Sequence, residues 1–220
     1  MGILDFVFPK NCLVCGKEGR YICEECIKKV PRAREICPYC HHYSINGRTH
    51  FNCIRKLGLD GLTSIWEHEG IIRKAILALK YKYATEIGKE ISEYTIASVG
   101  GLTLPSAHIL TPIPIYWHKQ NTRGFNQSIE LSGNIAENLR LKFVPDLLIK
   151  KVSTAPQAGL SRGERQTNLK GSFILNKNLE VPDSALLFDD VFTTGSTLFE
   201  AAKVLKKGGV KKVWGLTITR

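Results

Sequence analysis

Two adjacent carboxylates and a turn rich in hydroxyl groups form the stretch of this sequence with the clearest chemical meaning. Asp189 and Asp190 follow the apolar run 185–188. The turn after them contains five hydroxyl or glycine residues, Thr193, Thr194, Gly195, Ser196 and Thr197. Apolar residues then recur at helical spacing from Leu198. This order predicts a strand, a polar loop and a helix.

Such a loop suits a phosphorylated sugar. The unpaired N–H groups and the positive dipole end of a helix N-terminus favour a phosphate dianion. Gly195 would let the backbone approach the phosphate closely, and the hydroxyl groups around it add donors. Asp189 and Asp190 would accept hydrogen bonds from ribose hydroxyls or hold Mg²⁺ through water. The alternative is a plain turn with a Thr or Ser N-cap, which does not explain two carboxylates at the end of an apolar strand.

The cysteines predict two metal sites near the N-terminus. All seven lie between Cys12 and Cys53, and their Cys-x-x-Cys and His-x-x-Cys spacings let each pair bind one ion. Short loops close more easily than crossed ones, so consecutive pairs are assigned together. The predicted zinc ligands are Cys12, Cys15, Cys23 and Cys26 in the first site, and Cys37, Cys40, His50 and Cys53 in the second. With four protein ligands each, both sites would be structural. The alternatives are reduced cysteines without metal, and His41 or His42 in place of His50.

A second polar loop follows another predicted strand. The run 108–115 reads as a buried strand, and its prolines put the end of the strand near Pro112. The loop continues through Lys119 and Arg123, whose cationic groups suit a diphosphate, and a helix follows over 129–139. In an open parallel sheet, such loops meet at the carboxyl ends of the strands. The two polar loops are therefore expected to converge on one crevice.

Three further segments complete the predicted core. Apolar residues at helical spacing predict a helix over about 70–83, and 210–219 predicts a final strand. The segment 154–173 contains glycines, a proline and few core residues, which is typical of a long loop. Because this arm is basic, it would serve either as a lid over an anionic site or as a contact for a nucleic-acid strand.

Length and charge set the remaining expectations. The 220 residues allow two domains, predicted as a zinc module over 1–60 and an α/β domain over 61–220. The formal charge of +11 suggests a polyanionic partner, although seven thiolates and two zinc ions would lower it by three. The sequence contains no secretory signal, no myristoylation pattern and no apolar run of roughly 18 residues that would span a membrane, so a cytoplasmic protein is expected.

The stretch 187–197 resembles the phosphoribosyl pyrophosphate (PRPP) binding motif of type I phosphoribosyltransferases, an apolar strand with two acids followed by Thr-Thr-Gly-x-Thr. The whole chain is similar to the ComF family, in which a double zinc ribbon precedes a phosphoribosyltransferase-like domain and which is associated with bacterial competence for DNA uptake. Besides the paired cysteines and the acidic motif, the resemblance is carried by Lys80-Tyr81-Lys82, Pro112-Ile113-Pro114, Arg123-Gly124-Phe125-Asn126-Gln127, Gln157, Leu160, Arg165 and Asn168.

The resemblance implies a type I phosphoribosyltransferase core, a parallel sheet with helices on both faces. Asp189 and Asp190 would bind the ribose hydroxyls, and the turn 193–197 the 5′-phosphate. The loop that begins at Pro112 and Ile113 would bind pyrophosphate with Mg²⁺. His50 departs from the family pattern, where a cysteine is usual, and the run 118–120 is less basic than usual.

Two functions are compatible with this sequence. One is an enzyme that transfers phosphoribosyl from PRPP to an acceptor. The other is a binding protein in which PRPP or another anion tunes attachment to single-stranded DNA or to a DNA-uptake helicase. The chain contains no Gly-x-x-x-x-Gly-Lys-Ser/Thr loop and is therefore not expected to be the uptake motor itself.

Overall fold

The structure is a computed structural model. It describes residues 10–79, 84–102, 104–114, 127–151 and 171–220. The predicted phosphate contacts Lys119 and Arg123, most of the basic arm and the Lys80 to Lys82 run lie outside the described residues.

A parallel sheet forms the centre of the protein. Its strands are β1 (Gly61–Trp66), β2 (Ile109–Pro112), β3 (Lys142–Phe143), β6 (Ser184–Val191) and β7 (Lys212–Thr219), in the spatial order β1-β7-β6-β2-β3. All four pairings are parallel. A separate antiparallel pair consists of β4 (Leu148–Lys150) and β5 (Phe173–Leu175). The central strands are buried without interruption over 184–188 in β6 and over 213–219 in β7, because helices cover both faces of the sheet there.

The helices divide between the two faces of the sheet. Within the described residues they are α1 (Glu24–Ile27), α2 (Gly70–Ala78), α3 (Ala84–Val99), α4 (Gln127–Asn138) and α5 (Ser196–Lys207), with 3-10 turns at Ile45–Gly47 and Phe51–Cys53. On one face α2, α3 and α4 pack against Leu186 and Phe188 of β6. On the other face α5 packs against Ala185 and Leu187, the alternate residues of that strand. The predicted parallel sheet with helices on both faces is confirmed.

Besides the short strands β3, β4 and β5, two longer elements are not among the predicted ones. Strand β1 contains Gly61, Thr63 and Ser64, and its position depends on the neighbouring strand β7. A Cβ on Gly61 would lie 2.2 Å from the ring of Trp214 on β7, so the ring leaves room only for glycine. Helix α3 buries polar Glu90 and Thr95 beside its apolar residues, which weakens the apolar stripe that sequence patterns detect. Both elements are therefore specified by tertiary contacts.

The N-terminal segment packs directly on this core. Cys12, Ile22 and Ile27 share one apolar cluster with Trp66 and Ile72. The carboxylate of Glu90 on α3 accepts hydrogen bonds from the backbone N–H groups of Tyr21 and Ile22, at 3.3 and 2.7 Å. The domain boundary near residue 60 stays a prediction. In the parts of the chain that the structure describes, no helix is long and apolar enough to cross a membrane.

Candidate functional site

The predicted polar loops leave the same edge of the sheet. The chain runs from β6 through α5 on one face to β7, whereas it runs from β2 through α4 on the other face to β3. Strands β6 and β2 are neighbours, so the connections diverge between them, and this is the place in an open α/β sheet where ligands bind. Pro112 is paired with Phe188, and the N–H of Ile113 donates to the Phe188 carbonyl at 2.8 Å. Pro112 and Ile113 therefore lie beside the strand end that carries Asp189 and Asp190.

The turn after β6 delivers its polar groups to the N-terminus of α5. The N–H of Phe192 donates to the Thr219 carbonyl at 2.8 Å, which fixes the turn to the end of β7. Gly195 is the N-cap residue of α5 and has φ +74°, a conformation that glycine adopts without strain. The hydroxyls of Thr194 and Ser196 are hydrogen-bonded at 2.8 Å. Gly195 has no side chain that could cap this helix, and the N–H of Ser196 donates to the Thr194 hydroxyl only at the long distance of 3.5 Å, so the first N–H groups of α5 suit an anion.

The two aspartates occupy the end of β6 rather than the loop. Each carboxylate accepts a hydrogen bond from the next backbone N–H, at 2.9 Å for Asp189 and 3.0 Å for Asp190. Burial raises the pKa of Asp189 well above its ordinary value, and the charge of Asp190 and a hydrogen bond with its side chain add to this effect. A cation or a hydrogen-bond donor such as a ribose hydroxyl would relieve the repulsion between the two groups.

These groups line one cavity of about 360 Å³. Its lining contains all seven candidate residues of this motif, namely Asp189, Asp190, Thr193, Thr194, Gly195, Ser196 and Thr197. It also contains His68, Ile76 and Leu77, which the sequence patterns did not indicate. His68 follows β1, and its Nδ1 lies 2.9 Å from the Thr219 hydroxyl. Recognising β1 as a strand of the same parallel sheet would have put His68 at this edge.

The first cysteine group has the geometry of a metal site. The sulfurs of Cys12, Cys15, Cys23 and Cys26 all lie within 4.8 Å of one another. The sulfurs of Cys15 and Cys23 are 3.6 Å apart, close to the roughly 3.8 Å expected between thiolates on one tetrahedral zinc. The structure therefore brings together the four ligands that their spacing predicted.

The second group is formed by three cysteines and a histidine. The ligand atoms of Cys37, Cys40, His50 and Cys53 also lie within 4.8 Å of one another. The Nδ1 of His50 is 3.2 Å from the Cys40 sulfur, and its Nε2 is 3.0 Å from the Tyr43 carbonyl oxygen. When Nε2 donates to that carbonyl, Nδ1 can bind a metal. A hydrogen bond from the other ring nitrogen is the usual support of a ligating histidine. His50, rather than His41 or His42, completes the group.

The cysteines of these two groups differ in the pKa of their thiols. Burial raises the pKa of Cys12, but hydrogen bonds from the backbone N–H groups of Cys15, Val14 and Cys23 outweigh it and lower that pKa to about 6. Burial and the neighbouring sulfurs raise the pKa of Cys26 to about 12 and that of Cys53 to about 11. A divalent cation would allow all the thiols of one group to ionise together.

The comparisons with known proteins agree with this arrangement. The family model of the double zinc ribbon domain matches residues 3–54. Competence protein F of Haemophilus influenzae is 31% identical over 236 aligned residues, which cover 95% of this chain and 97% of that protein. This chain belongs to the ComF family. The DNA utilization protein YhgH of Escherichia coli K12 is 28% identical, covering 96% of this chain and 98% of its own length.

Two further matches of this ComF-family chain are partial. Competence protein ComFC of Streptococcus pneumoniae is 31% identical over 108 residues, 49% of this chain and 46% of that protein. Among solved structures, adenine phosphoribosyltransferase of Trypanosoma brucei, in complex with AMP, pyrophosphate and ribose-5-phosphate, is 18% identical with a TM-score of 0.31. That match covers 60% of this chain and 52% of the other.

Proposed function

We propose that this chain is a phosphoribosyltransferase-like protein that binds PRPP with Mg²⁺ and acts in natural competence and DNA uptake on the cytosolic side. The observation that carries the proposal is the single cavity that joins the acidic end of β6 to the N-terminus of α5. Two relatives that align along nearly their full length are named for competence and for DNA utilization, which supports the setting. The two cysteine groups would hold structural zinc ions.

Each part of the cavity would have one role. Asp189 and Asp190 would accept hydrogen bonds from the ribose 2′- and 3′-hydroxyls. The turn 193–197 would bind the 5′-phosphate through backbone N–H groups and hydroxyls. The loop that begins at Pro112 and Ile113, with Lys119 and Arg123, would contact the pyrophosphate. Asp189 and Asp190 would also hold a Mg²⁺ ion, which would supply positive charge against the leaving group.

The reaction that such a site supports is displacement at C1 of the ribose. The acceptor's lone pair forms a bond to C1, the C1–O bond to pyrophosphate breaks, and its electron pair leaves with the pyrophosphate. Charge builds up on ribose as an oxocarbenium-like cation and on the leaving oxygens, so fixed cationic donors stabilise the transition state. Asp189 and Asp190, next to the ribose, would fix its orientation towards the acceptor.

Binding and turnover are tested separately. Calorimetry with PRPP and Mg²⁺ should give saturable binding that is lost in Asp189→Asn combined with Asp190→Asn. The matched control is Asp183→Asn, an exposed residue paired with Lys211 at the opposite end of β6. Unchanged PRPP affinity in the double variant would refute the site. Pyrophosphate release, measured with nucleobases, amines and oligonucleotides as acceptors, then identifies the transferase, and silence across this panel favours a binding role.

A second candidate function is attachment to single-stranded DNA. It is favoured by the surface of the second ribbon, the segment around Cys37, Cys40, His50 and Cys53. The segment 43–56 carries four exposed apolar side chains, Tyr43, Ile45, Phe51 and Ile54, of which Phe51 is 89% and Tyr43 71% exposed. Exposed Arg48, Arg55 and Lys56 lie in the same segment, and the sequence from Ile36 to Leu59 contains no acidic residue. Aromatic rings next to cations are typical of surfaces on which unpaired bases stack.

Fluorescence anisotropy with a labelled oligothymidine should detect salt-sensitive binding by the full chain. Phe51→Ala should weaken it by about 1–3 kcal/mol, the usual contribution of one stacked base. Val14→Ala, an exposed apolar residue of the first ribbon, is the control. Absence of binding at low salt would refute this role, and retention of a partner helicase without DNA would favour a protein contact instead.

A further inference from the structure

Two phenylalanine rings enclose the glycine of the candidate phosphate turn. A Cβ on Gly195 would lie 2.6 Å from Cζ of Phe199 and 2.8 Å from Cε2 of Phe192. The two rings meet edge to face, with centroids 6.3 Å apart and an angle of 82°. The backbone at Gly195 is therefore pressed against both rings, and a shift of either ring would move the turn.

The second cysteine group provides the outer layer of this aromatic cluster. The ring of Tyr39 stacks on Phe199, with centroids 4.7 Å apart and an angle of 9°. The ring of His41 lies 5.7 Å from that of Phe192. Tyr39 lies between the predicted zinc ligands Cys37 and Cys40, and His41 follows Cys40 directly. Each ring against Gly195 is thus contacted by a residue of this one metal-binding turn.

Tyr39 is itself held by the segment after the last ligand of that group. The guanidinium of Arg55 lies 4.9 Å from the centroid of the Tyr39 ring. The N–H of Leu59 donates to the Tyr39 hydroxyl at 2.8 Å. A Cβ on Gly58 would lie 2.0 Å from that hydroxyl, so only glycine leaves room for it. The position of Tyr39 is fixed from the metal-binding turn and from the segment 55–59 together.

We infer that Tyr39 is a positioning residue for the phosphate-binding turn, acting through Phe199, and that the second zinc site thereby controls the order of the turn 193–197. The first metal site packs on α3 through Glu90 and Tyr94 and makes no equivalent contact with the turn among the described residues. The ligand part of this inference rests on the proposed PRPP site, whereas the coupling between the ribbon and the turn does not.

Hydrogen exchange tests the coupling without any ligand. In the full zinc-loaded chain, Tyr39→Ala should accelerate amide exchange in the segment 193–199 by about 10-fold or more, with little change in β7. Tyr39→Phe keeps the ring and should leave exchange near the wild-type rate. The matched control is Tyr94→Ala, because Tyr94 also lies under an arginine, Arg20, and bonds a ribbon backbone group.

The outcomes of this test are unambiguous. Selective acceleration in 193–199 supports the inference, and either no change or uniform acceleration throughout the chain overturns it. If Tyr39→Ala does not fold, Tyr39→Leu removes the flat ring while retaining apolar volume. The role of zinc is tested with Cys40→Ser against Cys15→Ser, each of which should lower the zinc content from two ions to one. Cys40→Ser should accelerate exchange in 193–199 more than in β7, whereas any acceleration by Cys15→Ser should be the same in both segments.

Calorimetry with PRPP and Mg²⁺ then tests the ligand part. Tyr39→Ala should weaken PRPP binding by about 10-fold or more, since small misplacement of binding groups is costly, whereas Tyr94→Ala should not. If the wild-type chain binds no PRPP, the proposed function fails and the exchange data alone decide the coupling. If the wild type binds and Tyr39→Ala binds equally well despite faster exchange, the positioning role is overturned.

Discussion

Asp189 combines a half-buried, poorly solvated position with a close like charge, which makes its ionised form costly to the folded chain. It ends the apolar strand β6, and Asp190 lies beside it. A carboxyl group in this setting holds its proton to a higher pH than it does in the unfolded chain. Stability and the proposed binding role are therefore opposed at this residue.

This opposition predicts a pH-dependent effect of Asp189→Asn. The unfolded carboxyl ionises near its ordinary pKa of 3.8, whereas the pKa in the folded chain is raised. As the pH rises above about 4, ionisation favours the unfolded chain, so this group progressively lowers stability. Asp189→Asn should raise Tm by a few degrees at pH 8 and by less at pH 5.5, measured by scanning calorimetry. Asp183→Asn should not raise Tm, because Lys211 lowers the pKa of Asp183. A lower Tm for Asp189→Asn at both pH values would contradict the assignment.

At Gly195 both backbone conformation and space require glycine. Gly195→Ala should lower the free energy of unfolding by about 1–3 kcal/mol, because it puts an alanine into a left-handed conformation and its Cβ overlaps with two rings. Gly171→Ala is the matched control: its φ of +75° is nearly the same, but nothing lies within 4 Å of the added Cβ. Urea denaturation of both variants separates the two causes, and equal losses would show that ring contact at Gly195 contributes nothing.

At the scale of elements, helix α3 is the support of the first ribbon. The side chain of Glu90 is about 10% exposed and accepts hydrogen bonds from two ribbon N–H groups, whereas Glu93, one turn later, is exposed and pairs with Arg20. The buried carboxylate of Glu90 therefore contributes more to the free energy of unfolding than the exposed carboxylate of Glu93, although both lie near Arg20.

Glu90→Ala should therefore destabilise the chain by about 1–3 kcal/mol, because it removes the carboxylate that accepts the hydrogen bond of the buried Ile22 N–H. Glu93→Ala should cost at most about 1 kcal/mol, the usual range of an exposed ion pair. Urea denaturation monitored by tryptophan fluorescence measures both variants. Equal losses would mean that the ribbon does not depend on Glu90 for its attachment.

At the scale of the whole molecule, the metal module and the sheet share their apolar interior. Cys12, Cys23 and Cys26 of the first group lie in the same cluster as Ile65 and Ile71. A ribbon that unfolds would expose this face of the core, so the two parts are expected to lose structure together.

Removal of zinc should then lower the melting temperature of the whole chain. With a strong chelator, a single transition at lower temperature is expected, followed by circular dichroism and by zinc release. Cys15→Ser provides the genetic equivalent, with zinc content falling from two ions to one. A separate ribbon transition, with the remaining transition unmoved, would indicate that the sheet folds without the ribbon.

Local patterns in the sequence predict the candidate chemical groups. Cys-x-x-Cys spacing limits which sulfurs can reach one ion, and it predicts both cysteine groups. The order of apolar strand, acids, glycine-rich turn and helix lies within a few consecutive residues, and it predicts the polar end of β6. The structure brings together the ligand atoms of each predicted cysteine group, His50 included, and it puts Asp189, Asp190 and the turn 193–197 around one cavity. The roles of these residues stay predictions, as do those of Lys119 and Arg123.

Contacts between segments far apart in the chain are seen in the folded protein alone. Strand β1 lies in the sheet, and brings His68 to the cavity, because Gly61 leaves room for the ring of Trp214. Helix α3 depends on its contacts with the N-terminal segment, whose backbone N–H groups donate to the buried Glu90. The contact between Tyr39 and Phe199 joins residues 160 positions apart and leaves no periodic pattern in either segment. Contacts of this kind depend on complementary shape across the fold, whereas ligand spacing and strand periodicity act within a few residues.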